Sequence, residues 1–264
     1  MHLKRIFSAA FLLPPLVLLI VYGTPFHLFL LIAFAIALGL QEFYALAEAK
    51  GIKPLKTLGI VGGWILSFAL FRGRGVEAGL ASAFLIMATL SVLFFVADPK
   101  DALPRAAVTV LGVFYVAGLL SFPALLRKRP GGEGSVLSLL LITWMTDTGA
   151  FYVGSLLGRR RLCPSVSPQK TVEGFFGGLL GSLLASLVAE RWLLGIGFFH
   201  ALALGLLLGL LGQLGDLAES VLKRSAGTKD SGALIPGHGG LLDVIDSLLF
   251  TGPAMYLYLT LAGG

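Results

Sequence analysis

Long stretches of this chain carry no Asp, Glu, Lys or Arg, among them residues 6–41, 78–97, 106–126, 174–189, 192–215 and 247–264. A helix needs ~20 mostly apolar residues to cross the hydrocarbon core of a bilayer. Every backbone polar group inside that core must be satisfied within the spanning structure. Most of these windows are therefore read as spanning helices, and the first is long enough for two. Composition agrees, since only 13% of the 264 residues are charged, against ~25% in an ordinary soluble domain. The start, "MHLKRIFSAAFLLPPLVLL", has the basic end and apolar run of a signal peptide. Its apolar stretch is long and more spans follow, so it is read as an uncleaved first helix.

Charge breaks and Pro/Gly punctuation place nine spans near residues 6–22, 26–41, 57–71, 79–97, 106–126, 135–157, 174–189, 192–212 and 241–261. The expected fold is all-α, a polytopic integral membrane protein with about nine transmembrane helices and a cytoplasmic N-terminus. Alternating sides from that start puts fourteen of the twenty Lys and Arg residues inside and six outside, as the positive-inside bias requires. The basic triplet Arg127-Lys128-Arg129 falls outside in this count and dissents. Both long polar stretches, 158–173 and 213–240, fall in the cytoplasm, on the inner face of a cell (inner) membrane. Neither is large enough to bury a core of its own, so residues 1–264 are read as a single membrane domain. Within it, 1–134 are N-terminal spans, and 135–264 are C-terminal spans and loops carrying the site. One cysteine, Cys163, excludes an internal disulfide and a cysteine-cluster zinc site. The net charge of +6 resides in short loops between spans, which points to anionic lipids rather than nucleic acid.

The C-terminal half gathers acids beside apolar helices. In "GQLGDLAESVLKR", Asp216, Glu219, Ser220 and Lys223 recur at i, i+3, i+4 and i+7 and share one face if the segment is helical. In "GGLLDVIDSLLF", Asp243 and Asp246 stand one turn apart at the mouth of the last span. These acids either solvate helix ends and pair with Lys223 and Lys229, or mark a functional site, as carboxylates entering apolar spans tend to do. Facing carboxylates without cysteine or a nearby histidine pair suit a hard cation such as Mg2+, which takes one or two carboxylates and fills its remaining positions with water and phosphate oxygens.

Between the two acid segments, Gly227, Gly232, Gly237, Gly239 and Gly240 permit close backbone approach, while Lys223, Arg224 and Lys229 supply positive charge. That is the composition of a phosphate cradle. His238 stands where it would hydrogen-bond a phosphate or orient Asp243. The other polar stretch, "GRRRLCPSVSPQKTVEGFFGG", repeats the theme with Ser167, Lys170, Thr171 and Glu173, stiffened by Pro164 and Pro168. Asp147, the only charge between Gly134 and Gly158, lies within a span. It is either functional or paired with a cation of another helix.

The run Ser220-Val221-Leu222-Lys223-Arg224, then after four residues Lys229-Asp230-Ser231-Gly232, then Pro236 to Asp243 and Asp246, is similar to the signature of phosphatidate cytidylyltransferases, also called CDP-diacylglycerol synthases. The upstream "DTGAFYVGSLLG" and "SPQKTVEGFFGG" resemble that family's second conserved region. These motifs span residues 144–250, and the remainder agrees only as hydrophobic spans. The chain departs from the pattern at Val244, where the family normally has arginine, at Val172, usually tryptophan, and at Ser155, usually basic. Valine beside Asp243 removes a cation and leaves that carboxylate less compensated.

The resemblance implies a reaction of CTP with phosphatidic acid giving CDP-diacylglycerol and pyrophosphate, with Mg2+ required. It implies Asp216 and Asp243 as metal holders with Glu219 and Asp246 close by. Lys223, Arg224, Lys229 and Lys170 would then neutralise phosphates, and Ser167, Thr171, Glu173, Ser220, Gly237, Gly239 and Gly240 would line the site. A transporter or channel is the competing class, and it predicts polar residues spread through several spans and inverted repeats. No repeat is evident. Another lipid-phosphate enzyme, a CDP-alcohol phosphotransferase, is disfavoured because its Asp-Gly-x-x-Ala-Arg start is absent. Homodimerisation through small-residue faces such as "GGLLGS" and packing of those faces within the chain are both open.

Overall fold

The computed structural model describes residues 2–73, 75–94, 98–235, 237 and 239–262, and only the backbone of residues 2–10 and 12. The chain is a bundle of helices: α1 (His2–Tyr22), α2 (Pro25–Glu48), α3 (Lys56–Arg72), α4 (Gly75–Leu93), α5 (Ala102–Gly112), α6 (Phe122–Arg127), α7 (Gly132–Leu157), α8 (Val172–Ala189), α9 (Phe198–Ala226) and α10 (Leu242–Ala262). A π-helical stretch, Val113–Gly118, joins α5 towards α6 so that Pro99–Arg127 runs as one span, and Glu190–Leu194 extends α8 in the same way.

Helices stand at all nine expected places, but among the described residues only seven are long and apolar enough to cross a membrane. α3, with 17 residues, covers about 25 Å at 1.5 Å per residue, short of a hydrocarbon core of ~30 Å. In α1 the apolar stretch whose side chains are described is Leu13–Tyr22. Two further corrections concern the polar stretches. The segment 213–240 is not a loop throughout, because α9 continues to Ala226 and stops where Gly227 takes φ +76° and donates its N–H to Arg224. The 158–173 segment forms a small antiparallel hairpin, β1 (Arg161–Cys163) and β2 (Ser167–Thr171), with Arg161 opposite Thr171. The fold is thus all-α apart from this hairpin.

Local chemistry explains the main boundaries. Thr24 caps α2 just ahead of Pro25, and His27 reaches back to the Thr24 amide at 3.1 Å, a reciprocal capping box. Thr171 caps α8 by accepting from Gly174 N at 3.1 Å. The core is built around α2, where Ile36, Leu40 and Tyr44 are wholly buried with Leu139 and Ile142 of α7, Leu204 and Leu208 of α9, and Leu249 and Met255 of α10. α7 and α8 approach through glycine, since a methyl group on Gly149, Gly177 or Gly181 would strike the backbone of the facing helix. The "GGLLGS" stripe is therefore occupied within the chain: Gly178 meets Gln213 and Thr146, and Ser182 meets Gly209.

The Arg127-Lys128-Arg129 triplet also has an internal explanation. Buried Arg127 donates to Ile20 O (2.9 Å) and Gly23 O (2.8 Å) at the end of α1 and pairs with Glu133 at 2.6 Å. Lys128 donates to Phe71 O at the end of α3. Arg129 donates to Leu259 O (2.8 Å) and Thr260 Oγ1 (2.7 Å) at the end of α10. Three consecutive cations thus close three different helix C-termini, where terminal carbonyls lack intrahelical partners and the helix dipole is negative. α7 begins at this end of the bundle and α10 finishes there, having started at the opposite end, where the acids lie.

Candidate active site

At that opposite end four elements converge: the C-terminal turns of α9, the first turns of α10, the loop 227–241 between them, and the C-terminal part of α2. Its centre is Lys223. The expected one-face arrangement on α9 holds, since Glu219 and Lys223 pair across one turn, and Lys223 Nζ also reaches Asp243 Oδ1 at 2.5 Å. All three side chains are withdrawn from solvent, with 12% of Lys223, 8% of Asp243 and none of Glu219 exposed. Burying one lysine between two carboxylates is tolerable only because each charge has a partner, and removing one partner of a buried pair is strongly destabilising.

Asp243 is held on its second oxygen as well. Oδ2 accepts from Ser231 N (2.9 Å), Ser231 Oγ (2.8 Å) and Gly240 N (2.8 Å). The charge expected to be left under-compensated by Val244 is therefore met by Lys223 and these three donors, while Val244 itself is 42% exposed.

Asp246, one turn further into α10, is buried and accepts from Ser247 N at 2.5 Å. It lies in the electrostatic field of Asp216, Glu219 and Asp147. Asp216 pairs with Lys170 of β2 at 2.7 Å, which ties the hairpin to α9. Asp147 of α7 faces the same region, with Ser247 Oγ 3.5 Å from its Oδ1. Glu219 Oε1 has no hydrogen-bond partner among the described residues. Five acids of three helices, Asp147, Asp216, Glu219, Asp243 and Asp246, therefore share one region with Lys170 and Lys223, leaving an excess of negative charge.

The glycine loop differs from a phosphate cradle. Gly240 N is committed to Asp243, and Gly239 N and Ile235 N bond each other's carbonyls. Leu241 N (2.9 Å) and Leu242 N (2.7 Å), at the start of α10, donate to the carboxylate of Glu42 on α2, which also accepts from Ser231 Oγ at 3.1 Å. The glycines serve close approach of the chain's own acids: a Cβ on Gly232 would stand 2.7 Å from Glu42 Oε1, and one on Gly239 2.7 Å from Asp243 Oδ2. Glu42 escaped the motif reading because the signature lies nearly two hundred residues away. The available signal was its position, since it is the first acid in the chain and follows the long uncharged window ending at Gln41.

The remaining candidates divide. Arg224 donates to Val166 O (3.1 Å) and Thr228 O (3.0 Å), joining hairpin to loop. Thr171 is buried as the α8 cap, and Glu173 accepts from the Arg159 and Arg160 amides at 3.0 and 3.2 Å, which closes the hairpin onto α8. Ser220 is buried on the Lys223 face. Ser167 is half-buried on β2, and Gly237 lies in the loop with φ +86°. Lys229 is exposed and has no hydrogen bond or ion pair among the described residues. His238 lies outside the described residues.

Among the described residues, no three His, Cys, Asp or Glu side chains converge tightly enough to enclose an ion unaided. The donor set nevertheless fits a hard divalent cation: it is all carboxylate, Glu219 Oε1 is unpartnered, and Mg2+ asks a protein for only one or two carboxylates.

The fold and site define a polytopic membrane protein whose acids and lysines are gathered where spans end, the arrangement of an enzyme that works at a bilayer surface. The family follows from comparison with known sequences. Residues 3–262 match the model of the Cytidylyltransferase family, and the chain belongs to that family of nucleotidyltransferases. Relatives include a phosphatidate cytidylyltransferase of Synechocystis sp., 37% identical over 87% of each chain. The enzyme of the same name from Staphylococcus epidermidis is 36% identical over 87% of this chain and 90% of its own. That of Bacillus subtilis is 33% identical over 85% and 87%.

Proposed function

We propose that this chain transfers the cytidylyl group of CTP to phosphatidic acid, with Mg2+, giving CDP-diacylglycerol and pyrophosphate for phospholipid synthesis. The observation that carries this reading is the buried Glu219–Lys223–Asp243 cluster and its neighbouring acids at the ends of spanning helices, in a chain matching phosphatidate cytidylyltransferases over most of its length. A water-soluble nucleotide and a lipid phosphate have to meet at such a boundary. The site end faces the cytoplasm of the cell membrane. That orientation is supported by the fourteen-to-six charge bias and by the use of the dissenting triplet as helix caps.

An oxygen of the lipid phosphate attacks the α-phosphorus of CTP. One P–O bond forms, the bond from the α-phosphorus to the bridging oxygen breaks, and pyrophosphate leaves with that electron pair. A phosphomonoester has a second pKa of ~6, so the attacking phosphate is largely a dianion at neutral pH and needs no general base. The protein's task is to position the reactants and neutralise charge. Asp216 and Asp246 are the residues proposed to hold Mg2+, because both oxygens of Asp243 are engaged by Lys223 and the loop. Bound there, Mg2+ supplies Lewis-acid neutralisation of phosphate oxygens. Lys229 and Lys170 bring cations to the phosphates, Lys170 by leaving Asp216 when the anion arrives. The acyl chains stay in the bilayer.

The test is release of pyrophosphate and formation of CDP-diacylglycerol by protein purified in detergent, with CTP, phosphatidic acid and Mg2+ omitted in turn. Turnover that requires all three is expected. Folded protein that gives no CDP-diacylglycerol overturns the reading.

A further inference from the structure

Glu42 belongs to the N-terminal half of the chain, yet its carboxylate is placed on the loop and helix start that carry the site. Oε1 accepts from Leu241 N at 2.9 Å, and Oε2 from Leu242 N at 2.7 Å and Ser231 Oγ at 3.1 Å. Two of these donors, Leu242 N at the first residue of α10 and Leu241 N just before it, lie at the helix N-terminus, the part of a helix that attracts anions. Ser231 Oγ stands between two acids, 3.1 Å from Glu42 Oε2 and 2.8 Å from Asp243 Oδ2. The same acid sets the glycine requirement, since a Cβ on Gly240 would come within 2.5 Å of Glu42 Oε2. Asp243 Oδ2 is then met by Gly240 N, and Asp243 Oδ1 by Lys223.

We propose that Glu42 is a positioning residue for the transfer reaction: an internal carboxylate that fills the anion-accepting start of α10 and thereby fixes Ser231, Gly240 and Asp243 against Lys223. This rests on the function proposed above. Two consequences follow. Substrate phosphates are kept out of the α10 N-terminus, whose amides are already taken. Removing the carboxylate opens a pocket lined by two amides and a hydroxyl, sized for a small carboxylate.

Glu42→Ala and Glu42→Gln test this. Loss of an interaction that places reacting groups without touching substrate lowers kcat while leaving KM nearly unchanged, so kcat is expected to fall about tenfold or more with KM for CTP within about threefold. Tens of millimolar formate should restore Glu42→Ala several-fold and leave wild type and Glu42→Gln unaffected. Because Ser231 is shared, Ser231→Ala should add little to Glu42→Gln, as coupled sites are non-additive. A second readout needs no turnover: in Glu42→Gln the Leu241 and Leu242 amides should exchange with deuterium about tenfold faster than in wild type, as local opening becomes easier. Should Glu42→Ala fail to fold, Glu42→Gln carries both measurements. Wild-type kcat in Glu42→Gln, or unchanged exchange at 241 and 242, overturns the proposal. Inactive wild type with the expected exchange change would instead condemn the reaction assignment and leave the anchoring role in place.

Discussion

The two ends of the bundle handle charge in opposite ways. At one end Arg127, Lys128 and Arg129 each meet carbonyls of a helix C-terminus, and the one acid involved, Glu133, pairs with Arg127. At the other end Glu42 and Asp243 meet backbone N–H groups, and Asp147, Asp216, Glu219 and Asp246 outnumber Lys170 and Lys223. The basic triplet on carbonyls and Glu42 and Asp243 on amides follow one rule, cations at the C-termini and carboxylates at the N-termini of helices. They differ in what is left over. At the first end each of the three cations is engaged by helix carbonyls, with Glu133 pairing Arg127. The second keeps a surplus of carboxylate that invites a cation and, through it, phosphates.

The comparison is most open to attack at Lys223. Lys223→Met leaves Glu219 and Asp243 buried without their shared cation and should cost about 3–5 kcal/mol of stability, with turnover lost. Thermal melting together with the pyrophosphate assay checks both parts. Asp243→Asn keeps Lys223 paired with Glu219, so the fold should survive while turnover falls about 10²–10³-fold, the scale of losing one preorganised electrostatic group. Wild-type turnover in the folded variant would detach Asp243 from the chemistry.

Arg127→Met is the counterpart at the basic end. It strips two carbonyls and Glu133 of their donor, at about 1–3 kcal/mol for each group left unsatisfied and buried, and should lower the melting temperature while kcat and KM of the folded fraction stay within about twofold of wild type. A large kinetic effect there would break the division of labour. A paired glycine test sharpens it: Gly240→Ala drives a methyl group into Glu42 and Ser231 and should impair turnover, whereas Gly131→Ala meets open space and bears only the strain of its φ of +65°, about 1 kcal/mol. Val244→Arg should matter least, because the side chain is partly exposed and Asp243 already has Lys223. Activity at or above wild type is expected, and a marked loss would show that the site depends on valine.

Much of the site was legible because its chemistry is local. Asp216, Glu219, Ser220 and Lys223 follow helical spacing, and α9 does extend far enough to place them on one face. Lys229 and Arg224 are equally basic in sequence and both exposed, but Arg224 is bound to two carbonyls while Lys229 has no hydrogen bond or ion pair among the described residues. No spacing rule separates them, since their partners come from the chain's path through space. Nor was the fate of the loop amides readable, because glycines that admit a phosphate also admit a carboxylate.

By itself the sequence determined that this chain is a helical membrane protein, that its acids gather near the C-terminal loops, and through its motifs that it is a cytidylyltransferase. The first two follow from hydropathy, periodicity and local spacing, which act over a few turns of helix, and the third from the resemblance of its motifs to a known family. The tertiary structure alone decided that Glu42 holds the site loop, that Asp243 is compensated without an arginine beside it, and that the dissenting basic triplet closes three helices. Each of those depends on which groups the path of the chain brings together, and contacts made across the bundle or through a folded loop leave no periodic trace.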